Sequence, residues 1–286
     1  MAKISEILRH GPAYSFEFFP PRTPAAVELL EQTLLELEPL RPSFVSVTYG
    51  AGGTTRELTH DIVTRIEHET SMTAMAHLTC AAHTRAELET IVTRYRDAGI
   101  ENILALGGDP PKELDLPPGE LRHASELVEL VRGVDGFSVG VAIFPEMHPE
   151  SSDRAEDRRR QAEKLAMADF GISQFFFESE VWFEFVAEMD ALGVTTPLIP
   201  GIMPVTNIKS VKRMAELSGA DFPEWLERRL RAVEDDADAM HAVGVEAATE
   251  LCTALRAGGC ERFHFYTLNR STATREIAAN LGLGTS

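Results

Sequence analysis

The stretch SFEFFPPR, residues 15–22, decides how the rest of the chain is read. Its aromatic run has the composition of a fully buried β-strand, yet Glu17 stands in the middle of it, and a carboxylate is costly to bury without a partner or a task. Pro20 and Pro21 then stop the strand, because proline cannot donate to a ladder. A strand that ends in a turn with an acid near its end sets that acid at the mouth of a sheet or barrel, where ligands bind. For this stretch alone, a carboxylate that merely caps backbone amides is an equal reading. The other strands decide between the two.

Outward from that strand, short runs rich in Val, Ile and Phe alternate with longer segments of helical period, which is the pattern of βα units and a parallel sheet. The predicted strands are AYSFEFF (13–19), FVSVTY (44–49), TAMAHLT (73–79), NILAL (102–106), FSVGVAIF (137–144), ISQFFF (172–177), TPLIPGI (196–202) and RFHFYT (262–267). Eight strands, each followed by a helix, predict an α/β fold, a closed (β/α)8 barrel forming one domain over residues 1–286. Thr23 with Pro24 reads as an N-cap and first-turn proline, and Thr54 with Glu57 and Thr84 with Glu87 each fit a capping box. Leu88, Ile91, Val92 and Tyr95 share one face of a helix that stops at Ala98-Gly99. Residues 206–260 add helices before the last strand, over DFPEWLERRL and DDADAMHAVGVEAATELCTAL.

Composition narrows the function classes. The 286 residues are 44% hydrophobic, enough for one large core, and a formal net charge of −18 argues against nucleic acid or an anionic membrane as partner. Cys80, Cys252 and Cys260 have neither disulfide-framework nor zinc spacing. No apolar run approaches the ~20 residues of a membrane span, and MAKISEILRHG lacks the apolar core of a signal peptide, so a soluble, cytoplasmic protein is expected. There is no H-E-x-x-H, Walker loop or G-x-S-x-G. Lys3, Lys112, Lys164, Lys209 and Lys212 all fall in predicted helices or loops, which weakens a Schiff-base aldolase.

Barrel chemistry sits at the C-terminal strand ends. The polar residues there are Glu17, Thr48, Tyr49, His77, Asp109, Glu146, His148, Gln174, Tyr266, Asn269 and Arg270. Each alone could simply satisfy loop amides; their recurrence at one end of nearly every strand predicts a site. YGAGGTTRE, which opens a helix after the second strand, offers backbone amides to an anion or planar ligand, although Thr55 replaces the last glycine of a dinucleotide fingerprint. LGGDPPKE sets Asp109 among turn formers.

Together, SFEFFPPR, SVTYGAGGTTRE, HLTC, NILALGGDPP, FPEMHPE, SQFFF, PGIMPV and HFYTLNR resemble, in order and spacing, the methylenetetrahydrofolate reductase family over nearly the whole chain. The resemblance implies the catalytic barrel of an oxidoreductase of folate one-carbon metabolism. Such a barrel reduces 5,10-methylenetetrahydrofolate to 5-methyltetrahydrofolate with NADH or NADPH as donor and FAD as hydride carrier. It implies that Glu17 is the general acid for the leaving ring nitrogen, provided burial raises its pKa. Asp109 would lie close to the pterin and favour the cationic iminium, and Gln174 would hydrogen-bond the pterin. Met214 stands near a position where the family often has a stacking phenylalanine, and Arg270 is a candidate for the anionic folate tail or an ordinary surface ion pair. Thr48, His77, His148, Asp157 and Lys164 match positions on the flavin side.

The departures fall in that same subsite. Gly107 stands where the family usually has arginine and Phe144 where it usually has tyrosine, and both family residues contact the flavin. Losing a guanidinium and a hydroxyl removes ~2–5 kcal/mol of binding. The expectation is that flavin binding is weakened or lost and that NADH delivers hydride directly to the iminium carbon. FAD as carrier is the alternative, followed by a catalytically silent folate-binding barrel and by another barrel lyase or methyltransferase acting on a one-carbon pterin.

Overall fold

The computed structural model describes residues 2–49, 53–108 and 119–284, with no side chains for residues 53–55. Strands β1 (Ala13–Phe18), β2 (Phe44–Val47), β3 (Ala74–Thr79), β4 (Asn102–Leu106), β5 (Ser138–Ile143), β6 (Phe170–Phe175), β7 (Leu198–Ile202) and β8 (Arg262–Tyr266) form a closed barrel in chain order. All pairings are parallel, and β8 returns to β1 with His264 opposite Ser15 and Tyr266 opposite Glu17. Each lies within its predicted segment except β6, which starts two residues early. Phe170 belongs to it because Gly140 on β5 leaves room for its ring: a Cβ on Gly140 would stand 2.3 Å from the Phe170 ring.

The helices that follow are α2 (Pro24–Leu37), α3 (Gly53–Glu69), α4 (Arg85–Asp97), α5 (Ala124–Arg132), α6 (Arg154–Met167), α7 (Ser179–Ala191), α8 (Ile208–Ser218), α9 (Glu224–Arg231), α10 (Ala237–Ala257) and α11 (Thr272–Asn280), after a short α1 (Ile4–Ile7). Their starts obey the local chemistry of capping. Thr23 accepts from the Ala26 amide at 3.2 Å. Thr84 and Glu87 form the reciprocal box, at 3.2 Å and 2.7 Å, which satisfies two amides that the helix itself cannot. The Thr54 side chain lies outside the described residues. Lys164 is on α6 and Lys209 and Lys212 are on α8, none on a strand.

Successive strand residues face opposite sides of the sheet. Ala13, Phe44, Met75, Leu104, Phe170, Ile172 and Ile199 therefore fill the lower barrel, where Ile4 and Leu8 of the N-terminal turn close it from below. The opposite strand faces pack on the helix ring in the largest core. The insertion before β8 makes a separate core, in which Ile208, Val211, Leu226, Leu230 and Met240 meet Phe175, Phe177 and Met203 at the upper ends of β6 and β7. That packing brings α8 to the rim of the barrel. No helix among the described residues is long and apolar enough to cross a membrane.

Candidate active site

Above the apolar floor the barrel interior turns polar. On β1, Ser15 and Glu17 occupy alternate positions, and on β8 His264 and Tyr266 do the same, so closure of the barrel sets the two pairs side by side. Ser15 Oγ lies 2.7 Å from His264 Nδ1, and His264 Nε2 lies 3.4 Å from Glu17 Oε2. Ser15 Oγ also lies 3.4 Å from the Phe263 carbonyl, which can accept its proton, and a proton on His264 Nε2 would point at the Glu17 carboxylate. Both Ser15 and His264 are fully buried, whereas the Glu17 side chain keeps 17% exposure toward the mouth. The carboxylate is thus held from below and open above.

His77 on β3 approaches the same Glu17 oxygen, 3.6 Å away. Burial drives its pKa down to about 4, with Glu17 opposing and His264 adding to the shift, so the ring is neutral near pH 7. Its Nε2 is buried without a hydrogen-bond partner among the described residues. A neutral imidazole and a carboxylate therefore face one another at a point where a further polar group would satisfy both. Tyr266 donates to the Ser173 carbonyl at 2.8 Å, and burial, helped by Glu17, keeps its phenol protonated. The turn after β8 fastens the rim: the Asn269 amide group bridges Phe19, accepting from its N–H at 2.9 Å and donating to its carbonyl at 2.8 Å. Thr267 Oγ1 donates to the Glu17 carbonyl at 2.6 Å.

Four residues of the flavin-side set gather where β5 meets α6. Phe144 meets His148 edge-on with ring centroids 4.6 Å apart, and Lys164 Nζ stands 6.0 Å above the Phe144 ring. Burial brings the Lys164 pKa down to about 8 against the pull of Asp157. Asp157 is itself buried and saturated: it accepts from the His148 amide, Ser151, Arg158 and Gln161. Gln161 also holds both backbone groups of Phe144, at 2.7 Å and 3.0 Å. These contacts shape the loop, and they leave Lys164 as the polar end of the group. Gly107 follows β4, and a Cβ there would make only ordinary contact, with the Arg122 carbonyl at 3.8 Å.

The remaining sequence candidates are distributed around the mouth. Gln174 is half-buried, two residues beyond Ile172 on β6. Met214 is half-buried on α8 and packs in the cluster that includes Tyr266 and Leu268. Thr48 follows β2, its amide bonded to the Phe18 carbonyl at 2.9 Å. Arg270 is exposed after β8 and makes no ion pair among the described residues. Asp109 lies outside the described residues. Sequence reasoning missed Ser15 and His264, although each stands two positions before a named candidate; the period of two was the available signal.

Comparison with known proteins identifies the family of the chain. A model of the methylenetetrahydrofolate reductase family matches residues 3–282. A 5,10-methylenetetrahydrofolate reductase of Escherichia coli (strain K12) is 39% identical over 273 residues, which is 94% of this chain and 90% of that one. A protein of Arabidopsis thaliana named methylenetetrahydrofolate reductase (NADH) 1 is 35% identical over 98% of this chain and 50% of its own length. Among solved structures, an uncharacterised Clostridium thermocellum protein that binds two copies of 5-methyl-5,6,7,8-tetrahydrofolic acid shares the fold, with a TM-score of 0.71 at 14% identity and 99% coverage of both chains. With its family match running almost from end to end and relatives well above 30% identity, this chain belongs to the methylenetetrahydrofolate reductase family.

Proposed function

We propose that this chain, as a single catalytic barrel, reduces 5,10-methylenetetrahydrofolate to 5-methyltetrahydrofolate with NAD(P)H, by hydride transfer from the nicotinamide to the substrate without an intervening flavin. The observation that carries the reaction is the Glu17 carboxylate, open to the mouth and held by His264 at 3.4 Å with neutral His77 at 3.6 Å.

The substrate's five-membered ring has to open to an iminium before a hydride can be accepted. Glu17, which must enter the step in its protonated form, gives its proton to the leaving nitrogen as that C–N bond breaks, and the methylene carbon becomes the iminium carbon. A hydride from C4 of the nicotinamide then forms the new C–H bond of the methyl group, leaving NAD(P)⁺, and Glu17 regains a proton from water. His264 and Ser15 are positioning residues: they fix which oxygen of Glu17 faces upward. Gln174 hydrogen-bonds the pterin and Met214 packs at the rim. Arg270, exposed and without an ion pair among the described residues, receives the anionic folate tail, and Asp109 favours the cationic iminium.

The residues present do not fit a flavin well. Gly107 has no side chain to offer, Phe144 lacks a hydroxyl, and the four bonds on Asp157 leave it no acceptor to offer. No step above is routed through one. The deciding measurement is the visible spectrum of purified protein before and after incubation with FAD and gel filtration. The expected outcome is a colourless protein that oxidises NADH only when methylenetetrahydrofolate is supplied. Flavin bands that survive filtration would establish the two-step carrier route in its place.

A further inference from the structure

On the outer side of the barrel, α3 and α4 enclose a separate cavity of about 410 Å³, within the range of small-ligand pockets. Two ring pairs form its walls. His60 stacks on Tyr95 with centroids 5.3 Å apart and planes 26° apart. Tyr49 leans on His83 at 5.7 Å, its hydroxyl 2.9 Å from His83 Nε2. The charges balance: Arg94 is paired to Glu57 at 2.6 Å, and Arg56, bonded to the Ala82 carbonyl, is offset by Glu87. Burial, reinforced by Arg56, lowers the His83 pKa to about 4, and burial raises that of Tyr49 to about 12, so both stay uncharged.

The walls therefore offer aromatic faces and uncharged hydrogen-bonding groups, which suits neither a bare anion nor a purely apolar guest. A planar heterocycle with donors and acceptors on its edge and two π faces meets both conditions, and a nucleobase is such a ring.

The cavity is also within reach of the barrel mouth. Ser46 on β2 pairs with Glu17, and Tyr49 lies three residues further along, just past the end of that strand, so the chain between them spans at most ~11 Å. An extended dinucleotide spans that distance. We propose that this cavity receives the adenine ring of the NAD(P)H whose nicotinamide stands over Glu17; the assignment rests on reading the chain as a dinucleotide-dependent reductase. The barrel would thereby hold its donor from both ends without help from a flavin.

Ala86 lies exposed on α4 at the cavity wall, so Ala86→Trp fills the space without touching the core. His83→Ala is the second variant, removing a wall ring instead. NADH binding is titrated by its fluorescence in the absence of folate, with AMP as competitor, and turnover is measured with NADH and with reduced nicotinamide mononucleotide, which lacks the adenosine. The expected result is NADH binding at least tenfold weaker in Ala86→Trp and several-fold weaker in His83→Ala. AMP displaces NADH from the wild type, and turnover with the truncated donor is unchanged in both variants. NADH binding unaltered in both variants overturns the proposal. So does AMP that binds without displacing NADH, which would mark the cavity as a separate nucleotide site. A wild type that binds NADH and AMP competitively but does not oxidise NADH with methylenetetrahydrofolate would sink the functional reading while leaving the adenine site standing.

Discussion

In the proposed mechanism one proton on Glu17 decides the reaction. Glu17→Gln keeps the size of the side chain and its hydrogen bond to His264 while removing the acid, so kcat is expected to fall by ~10²–10⁴ with NADH binding retained; normal turnover would remove Glu17 from the mechanism. The neighbouring His77 links the site to stability. Its folded pKa, about 4, lies below the ordinary 6.5 because burial disfavours the imidazolium. Between those values the unfolded chain binds more protons than the folded one, so this contribution to stability is complete above pH 6.5 and is lost as pH falls toward 4. The full shift corresponds to roughly 3 kcal/mol. Thermal melts across that window are expected to show a steep acid-side decline that His77→Gln makes shallower. Buried His83 acts in the same direction. Glu17 was legible from its sequence alone, as a charge in an aromatic strand. His264 was not, because a histidine inside RFHFYT has no visible reason to face one acid rather than the core.

Among the elements, β6, β7 and β8 show how a strand's small residues serve a neighbour's large ones. A Cβ on Gly201 of β7 would stand 2.3 Å from the Ser173 carbonyl and 2.6 Å from the Tyr266 ring. Gly201→Ala is therefore expected to cost ~1–3 kcal/mol and to dislodge Tyr266 from its bond to Ser173. A lower denaturant midpoint at unchanged m-value, together with a raised KM for the folate, would report both effects. The element boundaries were largely legible, because strand period and helix caps are local: Thr84 and Glu87 are three residues apart and need nothing else. The start of β6 was misjudged because the room for Phe170 comes from a glycine on another strand. The role of α8 was equally hidden. Ile208, Val211 and Met214 read as a helix face, but only the packing of α8 against Phe175, Tyr266 and Leu268 makes that face part of the rim.

For the whole molecule, the barrel is stoppered at the end away from its chemistry. Ile4 and Leu8 are buried under the strands, and the Ile4 amide is held by Asn102 at 2.8 Å. Ile4→Ala is expected to lose ~2–5 kcal/mol. The expected readout is a single unfolding transition at lower temperature, with kcat unchanged well below it, since the site stands at the opposite mouth; a comparable loss of kcat there would mean that the two ends are coupled. By itself the sequence determined the alternation of strands and helices, the barrel class and the family, because those follow from periodicity, caps and the order of short strings. It also marked Glu17, and the departures at Gly107 and Phe144 on which the flavin-free proposal rests. Only the tertiary structure decided the partners. Ser15 and Glu17 meet His264 across 249 and 247 residues of chain, and the cavity between α3 and α4 joins rings from four segments. Contacts of that kind exist only once the last strand has closed on the first, and no local pattern encodes which side chains will then face each other.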